Sequence, residues 1–563
     1  MIKMKGIKNS KYSVWIIAGV FAFTIFAQCV LFHYLIYKEL LLSSLWHSPI
    51  DFFRFYLPAA TMAVFFSSFV FLFKNKWWVV IVSLIFDVWI FANLWYYRAN
   101  GILIDKYAVT MIGNLNGFWD SILALIRPAD FVFLIITILL VISIILTNNR
   151  SKSLKRWGCG IAISLIMGLT NGGLLVKKYD GDWNYLNPFR SYAVDFTNQT
   201  IWYTQEHSAI HYFAYILKDI ITAKTETKYT LNSKEEERIK NFINNNDKQI
   251  YASNRLIICI IESFNNYLLT KEIMPNLYNF INNNENIIYA NHITSQVIGS
   301  PSADGQMIIQ TGLLPIKNGA VCFRFPSNKM PSISGLYKKS VGLFPHDLNV
   351  WNQGLMSNAY NISKNEISTD NDVELFSKTV SLSQQYDNVM MLTLATHIPC
   401  IKYADSSNLV LPNDMPTFMS NYIKCMNVTD RGMEILLSQI TSNERLKNTT
   451  IVITADHKYH ITDIGKYGEQ YNYSDFCPLI IYSPEIKQKT IITDTCYQMD
   501  IYPTILHLIG CGDYYWKGFG VNLLDSTARH NRPITPEEAY DLSDKMIRAD
   551  YFRQIQCDDL SKK

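Results

Sequence analysis

The sequence predicts a membrane protein in two parts: five transmembrane helices, then an α/β domain on the far side of the bilayer. Three observations predict it. The long apolar runs crowd into the first third of the chain. Lys and Arg gather at alternate ends of those runs. Beyond them, short apolar runs alternate with helical patterns, and several end in residues that bind metals or move protons. At 563 residues the chain exceeds one ordinary domain. Its 49% hydrophobic and 14% aromatic content is rich for a soluble protein. A net charge of +4 is small for this length, and the globular part shows no basic stripe, so nucleic acid is not a predicted partner.

Five segments are long and apolar enough to span a bilayer, at residues 13–37, 56–73, 77–97, 131–147 and 157–176. The first lacks a small-residue cleavage site and is followed by more spans, so it reads as a helix and not as a cleaved signal. Flanking charge sets the orientation. Lys3, Lys5, Lys8 and Lys11, then Lys74 and Lys76, then Arg150, Lys152, Lys155 and Arg156 fall on one side, predicted to be cytoplasmic. Loops 38–55 and 98–130 mix acids with bases and fall on the other. Everything after Val176 is therefore predicted outside. Asp87 lies within the third span, where an acid is either functional or satisfied by a polar neighbour.

Residues 177–249 carry no deep core pattern and read as a linker between a membrane domain, 1–176, and a globular domain, 250–563. Within it, residues 209–222 form an amphipathic pattern suited to the membrane surface or to packing on the globular domain. Ser233-Lys234-Glu235-Glu236 reads as a capping box opening a helix to about Asn244.

The globular domain carries four continuous strand-like runs, at residues 256–261, 389–394, 450–454 and 479–482. Ligands in open α/β sheets bind beyond the C-terminal ends of strands. The first run ends in Glu262, the second leads to Thr396-His397 and the third to Asp456-His457. Alone, each residue suits a solvated turn. Together, two carboxylates and an imidazole supply hard and borderline ligands for Zn²⁺, Mn²⁺ or Mg²⁺. The stretch Gly299-Ser300-Pro301-Ser302-Ala303-Asp304-Gly305-Gln306 sets hydroxyls among small residues before an apolar run. It reads as a helix cap or as a loop delivering a nucleophile to a helix start. A metal beside such a hydroxyl would activate it. The ten cysteines include no CxxC pair, which argues against structural zinc. Eight fall in the part predicted outside, where disulfides are permitted, and no pairing can be deduced. Cys259 and Cys477 sit in strand runs and read as core thiols.

The order strand–Glu262-Ser263, then Gly-x-x-Ser-x-Asp-Gly-Gln, then strand–Asp456-His457 resembles the lipoteichoic acid synthase family of membrane phosphoglycerol transferases, in the alkaline phosphatase/sulfatase superfamily. The resemblance covers essentially the whole chain and implies a sulfatase-like outer domain. Matched residue by residue, it puts the nucleophile on Ser302, with Ser300 as competitor. It puts one divalent ion, Mn²⁺ before Zn²⁺ or Mg²⁺, on Glu262, Ser302, Asp456 and His457. It implies substrate contacts from His346, Trp351, Asn352, His397 and Asp304. Asp500-x-x-Pro503-Thr504 and Lys517–Leu524 look like the family's closing segments. Gln353 stands where the family usually has Arg, and Pro301 and Ala303 are unusual beside the nucleophile.

The implied reaction moves a phosphoglycerol-type headgroup from a membrane phospholipid to a glycan or polymer acceptor. A phosphoethanolamine transferase is the nearest alternative. A sulfatase would need a Cys/Ser-x-Pro-x-Arg motif, which residues 300–304 lack. A catalytically dead, membrane-tethered binding protein would have no reason to keep the four metal-site residues.

Overall fold

The computed structural model describes residues 13–36, 49–100, 103–105, 123, 125–147, 151–178, 181–187, 204, 207–221, 229–244, 250–369, 371–395, 401–459 and 467–553. Two compact units divide between Thr225 and Glu226.

The first unit is helical. Helices α1 (Ser13–Ile36), α2 (Pro49–Ser68), α3 (Trp78–Asn100), α4 (Val132–Thr147) and α5 (Leu154–Lys178) occupy the five predicted places. Among the described residues, four helices are long and apolar enough to cross a membrane: Ser13–Ile36, Trp78–Arg98, Pro128–Thr147 and Leu154–Lys178. The remaining one contains a shorter described apolar stretch, Tyr56–Phe71. Asp87 has the polar neighbours an intramembrane acid needs. Gln28 donates to its Oδ1 at 2.7 Å, Thr137 donates to its Oδ2 at 2.7 Å, and Ser83 lies 2.6 Å from Thr137. This network ties α1, α3 and α4 together. At the end of α3, Arg98 forms a two-pronged pair with Asp130 at 2.6 and 2.7 Å. The amphipathic helix α6 (Ala209–Ile221) packs on this bundle. Its Ala209, Tyr212 and Ile216 are buried with Phe32, Ile90, Leu94 and Phe133, and Tyr212 donates to the Ile104 carbonyl at 2.7 Å.

The second unit opens with α7 (Ser233–Lys240). Its capping box sits one residue earlier than predicted. Asn232 is the N-cap and Glu235 returns the bond to the Asn232 N–H, because the Asn232 side chain reaches the Glu235 N–H at 3.0 Å. The core is a nine-stranded sheet. Its strands are β1 (Arg255–Ile261), β2 (Ile287–Thr294), β3 (Ser340–Phe344), β4 (Lys364–Ile367), β5 (Met390–Ala395), β6 (Thr449–Ala455), β7 (Cys477–Tyr482), β8 (Thr490–Ile492) and β9 (Cys496–Tyr497). The order is β4-β3-β5-β1-β6-β7-β2-β8, with β9 on β2. The β4-to-β6 portion is parallel, and β7 runs antiparallel to β6 and β2. Adjacent parallel strands present their C-terminal ends together. Ile261 of β1 is level with Ala395 of β5 and Ala455 of β6.

The remaining named helices are α8 (Pro275–Asn283), α9 (Pro301–Thr311), α10 (Gln353–Ala359), α11 (Asp372–Ser383), α12 (Thr417–Ser442), α13 (Ile501–Leu508) and α14 (Pro536–Ala549). The described cysteines are free thiols, and Cys259 and Cys477 are fully buried, as core residues. Cys400 and Cys557 lie outside the described residues.

Candidate active site

Glu262 and the pair Asp456-His457 follow the two central strands directly, so strand pairing alone brings them together. The β1 strand continues through Glu262, whose N–H donates to the Ala395 carbonyl at 2.9 Å. The next residue, Ser263, turns into the left-handed region at φ 55°. There its N–H donates to Asp456 Oδ1 at 2.8 Å, and Tyr422 from α12 donates to its carbonyl at 2.7 Å. The ligand-capable atoms of Glu262, Asp456 and His457 all lie within 4.8 Å of one another. Ser302 completes the group. Its Oγ donates to Glu262 at 2.9 Å to Oε2 and 3.1 Å to Oε1.

His457 Nδ1 donates to the Lys458 carbonyl at 2.7 Å, which leaves Nε2 as the atom facing the acids. Nε2 lies 3.0 Å from Glu262 Oε1 and 3.6 Å from Asp456 Oδ2. The electrostatics show what such a cluster lacks. Burial pushes the Asp456 carboxyl well above the usual carboxylate range, and the Glu262 charge adds to it. Burial would likewise lower His457, but the Asp456 and Glu262 carboxylates outweigh it and push the imidazole up to about 9. Glu262 is held below its ordinary value: burial opposes this, and the bond and charge of His457 prevail. One imidazole pairs with Glu262 and leaves the buried Asp456 carboxylate without a cation of its own, so burial raises it. Two carboxylates, one imidazole and one hydroxyl are a donor set that fits a divalent cation.

The Ser loop owes its shape to Asp304. Its carboxylate is buried and accepts from the N–H groups of Ile298, Gly299 and Ser300 at 3.0, 2.9 and 3.2 Å, and from Ser300 Oγ at 2.9 Å. This differs from the substrate contact the resemblance implies, because both oxygens are already engaged by the loop. Ser300 is the residue before α9, yet its hydroxyl goes to Asp304 and not to a helix N–H, and it is fully buried. Ser302, one residue into α9, is half-buried and faces Glu262.

Further residues to which the sequence assigns no role position the site. Gly305 has no room for a side chain: a Cβ there would sit 2.1 Å from the Asp456 carbonyl oxygen. Gln498 donates to that same oxygen at 2.6 Å, and Gln296 and Gln498 lock each other through the backbone. Tyr422 stacks on Tyr459 with centroids 3.9 Å apart. Only the Asp-Gly-Gln spacing hinted at Gly305, and nothing in the sequence pairs residue 296 with 498.

The remaining predicted contacts sit on a turn after β3. His346 is half-buried, with its pKa lowered by burial and partly restored by the Asp347 carbonyl and the Glu262 charge. Trp351 and Asn352 follow. Gln353 is buried and donates to Ser357 within α10 at 3.3 Å. His397 and His460 lie outside the described residues. In the closing segment, Arg532 clamps Asp500 at 2.6 and 2.8 Å, and the Tyr497 and Val521 N–H groups bind the same carboxylate, which makes it a structural staple.

Residues 1–181 match the lipoteichoic acid synthase N-terminal domain, and residues 343–511 match the sulfatase domain, which takes in Asp456 and His457. Lipoteichoic acid synthase 2 of Bacillus subtilis (strain 168) is 23% identical over 530 residues, covering 84% of this chain and 78% of that protein. The lipoteichoic acid synthase of Staphylococcus saprophyticus is 22% identical over 530 residues, covering 85% and 79%. The crystal structure of a lipoteichoic acid synthase from Listeria monocytogenes superposes with a TM-score of 0.46 at 18% identity, covering 57% of this chain and 98% of that one. Both domain types thus lie on one chain in this order, and the chain is similar along most of its length to two lipoteichoic acid synthases.

Proposed function

We propose that this chain is a metal-dependent membrane transferase that moves a phosphoglycerol-type headgroup from a phospholipid to a cell-surface glycan or polymer. The observation that carries the reading is the Ser302 hydroxyl, 2.9 Å from Glu262 at the start of a helix and facing the Asp456–His457 pair. The names of the relatives matched over most of the chain support it.

Glu262, Ser302, Asp456 and His457 would hold one divalent ion, with Mn²⁺ ahead of Zn²⁺ or Mg²⁺. When bound, such an ion lowers the pKa of the serine hydroxyl and neutralises charge on a phosphoryl oxygen. In the first step Ser302 Oγ gives up its proton, with Glu262 as the nearest acceptor, and bonds to the donor phosphorus. The bond to the diacylglycerol oxygen breaks, and that oxygen leaves protonated. In the second step an acceptor hydroxyl attacks phospho-Ser302, loses its proton and returns the free serine. His346, Trp351 and His397 hold the headgroup in this reading. The Lys and Arg bias of the membrane part supports a catalytic domain on the extracellular or periplasmic side of a bacterial cytoplasmic membrane, where lipid headgroups are at hand.

The test is mass spectrometry of the full chain after incubation with phosphatidylglycerol and Mn²⁺. Glycerol phosphate is expected on the peptide carrying Ser302. Ser302→Ala loses the adduct and all turnover while binding metal with at least three of the four ligands. Full turnover by Ser302→Ala would remove the nucleophile assignment. An ethanolamine phosphate adduct, formed from phosphatidylethanolamine alone, would replace the donor.

A further inference from the structure

The loop that leads into α12 carries an apolar tip. Val410 is 97% exposed, more than any other large hydrophobic side chain among the described residues. It stands between Leu409 and Leu411, both half-buried. Residues 406–413, Ser-Ser-Asn-Leu-Val-Leu-Pro-Asn, hold no charge. The tip is anchored on both sides. Ser407 Oγ donates to Asn427 Oδ1 on α12 at 2.8 Å and accepts from the Leu409 N–H at 3.2 Å. On the other side the Met415 N–H donates to the Pro412 carbonyl at 3.1 Å, Met415 is buried, and Tyr467 donates to Asp414. Topology places this loop. Near its start α12 meets the active-site edge, where Tyr422 bonds to the Ser263 carbonyl at 2.7 Å. Just past its end, the Arg445 carbonyl accepts from Arg255 at 2.7 Å, at the beginning of β1 and so at the opposite edge of the sheet. The loop entering α12 therefore lies along the C-terminal edge of the parallel strands, which carries Glu262, Asp456 and His457. Two more exposed apolar side chains share that edge: Ile367, the last residue of β4, and Leu355 on α10, beyond the end of β3.

We infer that Leu409-Val410-Leu411 is a membrane-contacting tip that seats the catalytic edge of the α/β domain on a lipid surface. Three observations name lipid as the occupant. The chain itself holds helices long and apolar enough to cross a membrane, so a bilayer is always within its reach. The tip offers aliphatic carbon and no charge, so it can enter the boundary between headgroups and acyl chains without desolvating an ion. It also stands on the edge where the candidate catalytic residues lie, and not on a remote face. Single exposed apolar side chains are ordinary on protein surfaces. This one is held out by hydrogen bonds on both sides of an uncharged loop, so its exposure is a built feature. The inference rests on the proposed transferase reading for its purpose: the bond to be broken joins a phosphate to a diacylglycerol that stays in the bilayer.

The test uses the full chain in phosphatidylglycerol nanodiscs. Val410→Cys is labelled with an environment-sensitive fluorophore, and lipids carrying a quencher on their acyl chains are added to the disc. Ile491→Cys is the comparison, an exposed position on the edge strand β8, and wild type treated the same way sets the background. Quenching is expected at residue 410 well above that at residue 491. Equal quenching at the two positions overturns the tip. So does a signal from residue 410 that grows with protein concentration in detergent without lipid, which would make a second copy of the chain the occupant. A kinetic arm adds Mn²⁺ and two donors, bilayer phosphatidylglycerol and monomeric dihexanoyl phosphatidylglycerol. Val410→Asp is expected to raise KM for the bilayer donor about tenfold, with kcat and turnover of the monomeric donor unchanged. Val410→Leu should keep the wild-type KM. An equal loss on both donors, or a loss in Val410→Leu as large as in Val410→Asp, also overturns the inference. Failure of the transferase reading appears separately, as a wild-type chain that turns over neither donor while the label at residue 410 is still quenched.

Discussion

Three carboxylates of the α/β domain show how surroundings divide one chemical group into different tasks. Glu262 is held ionised by His457 and faces Ser302. Asp304 is pushed up to about 6 by burial and spends its oxygens on its own loop. Asp430 on α12 is likewise pushed up to about 6 by burial, although it accepts from the Asn276 and Leu277 N–H groups at the start of α8. Asp430 lies on α12 and bonds to the start of α8, away in sequence from the candidate metal ligands, which makes for a clean pH prediction. Its folded pKa lies above the unfolded 3.8, so the folded state binds its proton more tightly between about pH 4 and 6. This residue's contribution to stability is therefore fullest below pH 4, falls as pH rises through that window, and is flat above it. Asp430→Asn keeps one acceptor and has no charge to form. Its stability relative to wild type should rise between pH 4 and 6, by at most ~3 kcal/mol, then level off. Thermal unfolding of both proteins across pH 4–7.5 checks this, and parallel profiles would sink it. At this scale the grouping of Glu262, Ser302, Asp456 and His457 was legible, because each member follows a recognisable strand or opens a helix. The task of Asp304 was hidden, because it depends on where three backbone N–H groups point.

At the scale of elements, the site is a matter of how closely α9 approaches β6. Gly305 sets that distance. A methyl group there would meet the Asp456 oxygen at 2.1 Å and the carbonyl carbon at 2.6 Å, and neither is a flexible side-chain end that could swing aside. Gly305→Ala must push the helix off the strand, and Ser302 travels with it. Overpacking of this kind costs ~1–3 kcal/mol, and a displacement of about 1 Å can cost on the order of a hundredfold in rate. Turnover should therefore fall about a hundredfold with a lowered melting temperature. Gly512→Ala is the control, since nothing lies within 4 Å of a Cβ there. Identical behaviour of the two variants would show that the close approach is not needed. The strands themselves were unevenly legible. β1, β5, β6 and β7 are buried almost throughout and read as continuous apolar runs. β4 is an edge strand, Lys-Asn-Glu-Ile, with no buried residue, and the second half of β2 is Asn-His-Ile-Thr. Such strands are held by their neighbours' backbone and leave no hydrophobic signature.

For the whole molecule, the division between Thr225 and Glu226 implies that damage in one unit can leave the other folded. Asp87 is the place to ask, because its polar partners come from α1 and α4 within the membrane unit alone. Asp87→Asn keeps a group that can bond to Gln28 and Thr137. Asp87→Leu removes the carboxylate that both donors share and leaves them Ser83 as a partner, and hydrogen bonds between membrane helices are each worth up to ~1–2 kcal/mol. Asp87→Leu should thus lose ~1–2 kcal/mol of resistance to unfolding of the helical part in SDS, with Asp87→Asn closer to wild type. Mn²⁺ affinity, read by calorimetry on the same preparations in mild detergent, should stay the same in all three, since Glu262, Ser302, Asp456 and His457 belong to the other unit. Turnover of bilayer phosphatidylglycerol adds a third reading. If it falls in Asp87→Leu while Mn²⁺ affinity holds, the membrane part contributes to lipid supply and not to the chemistry. If Mn²⁺ affinity falls as well, the two units share one cooperative fold, and the site depends on helices that the sequence alone would have treated as an anchor.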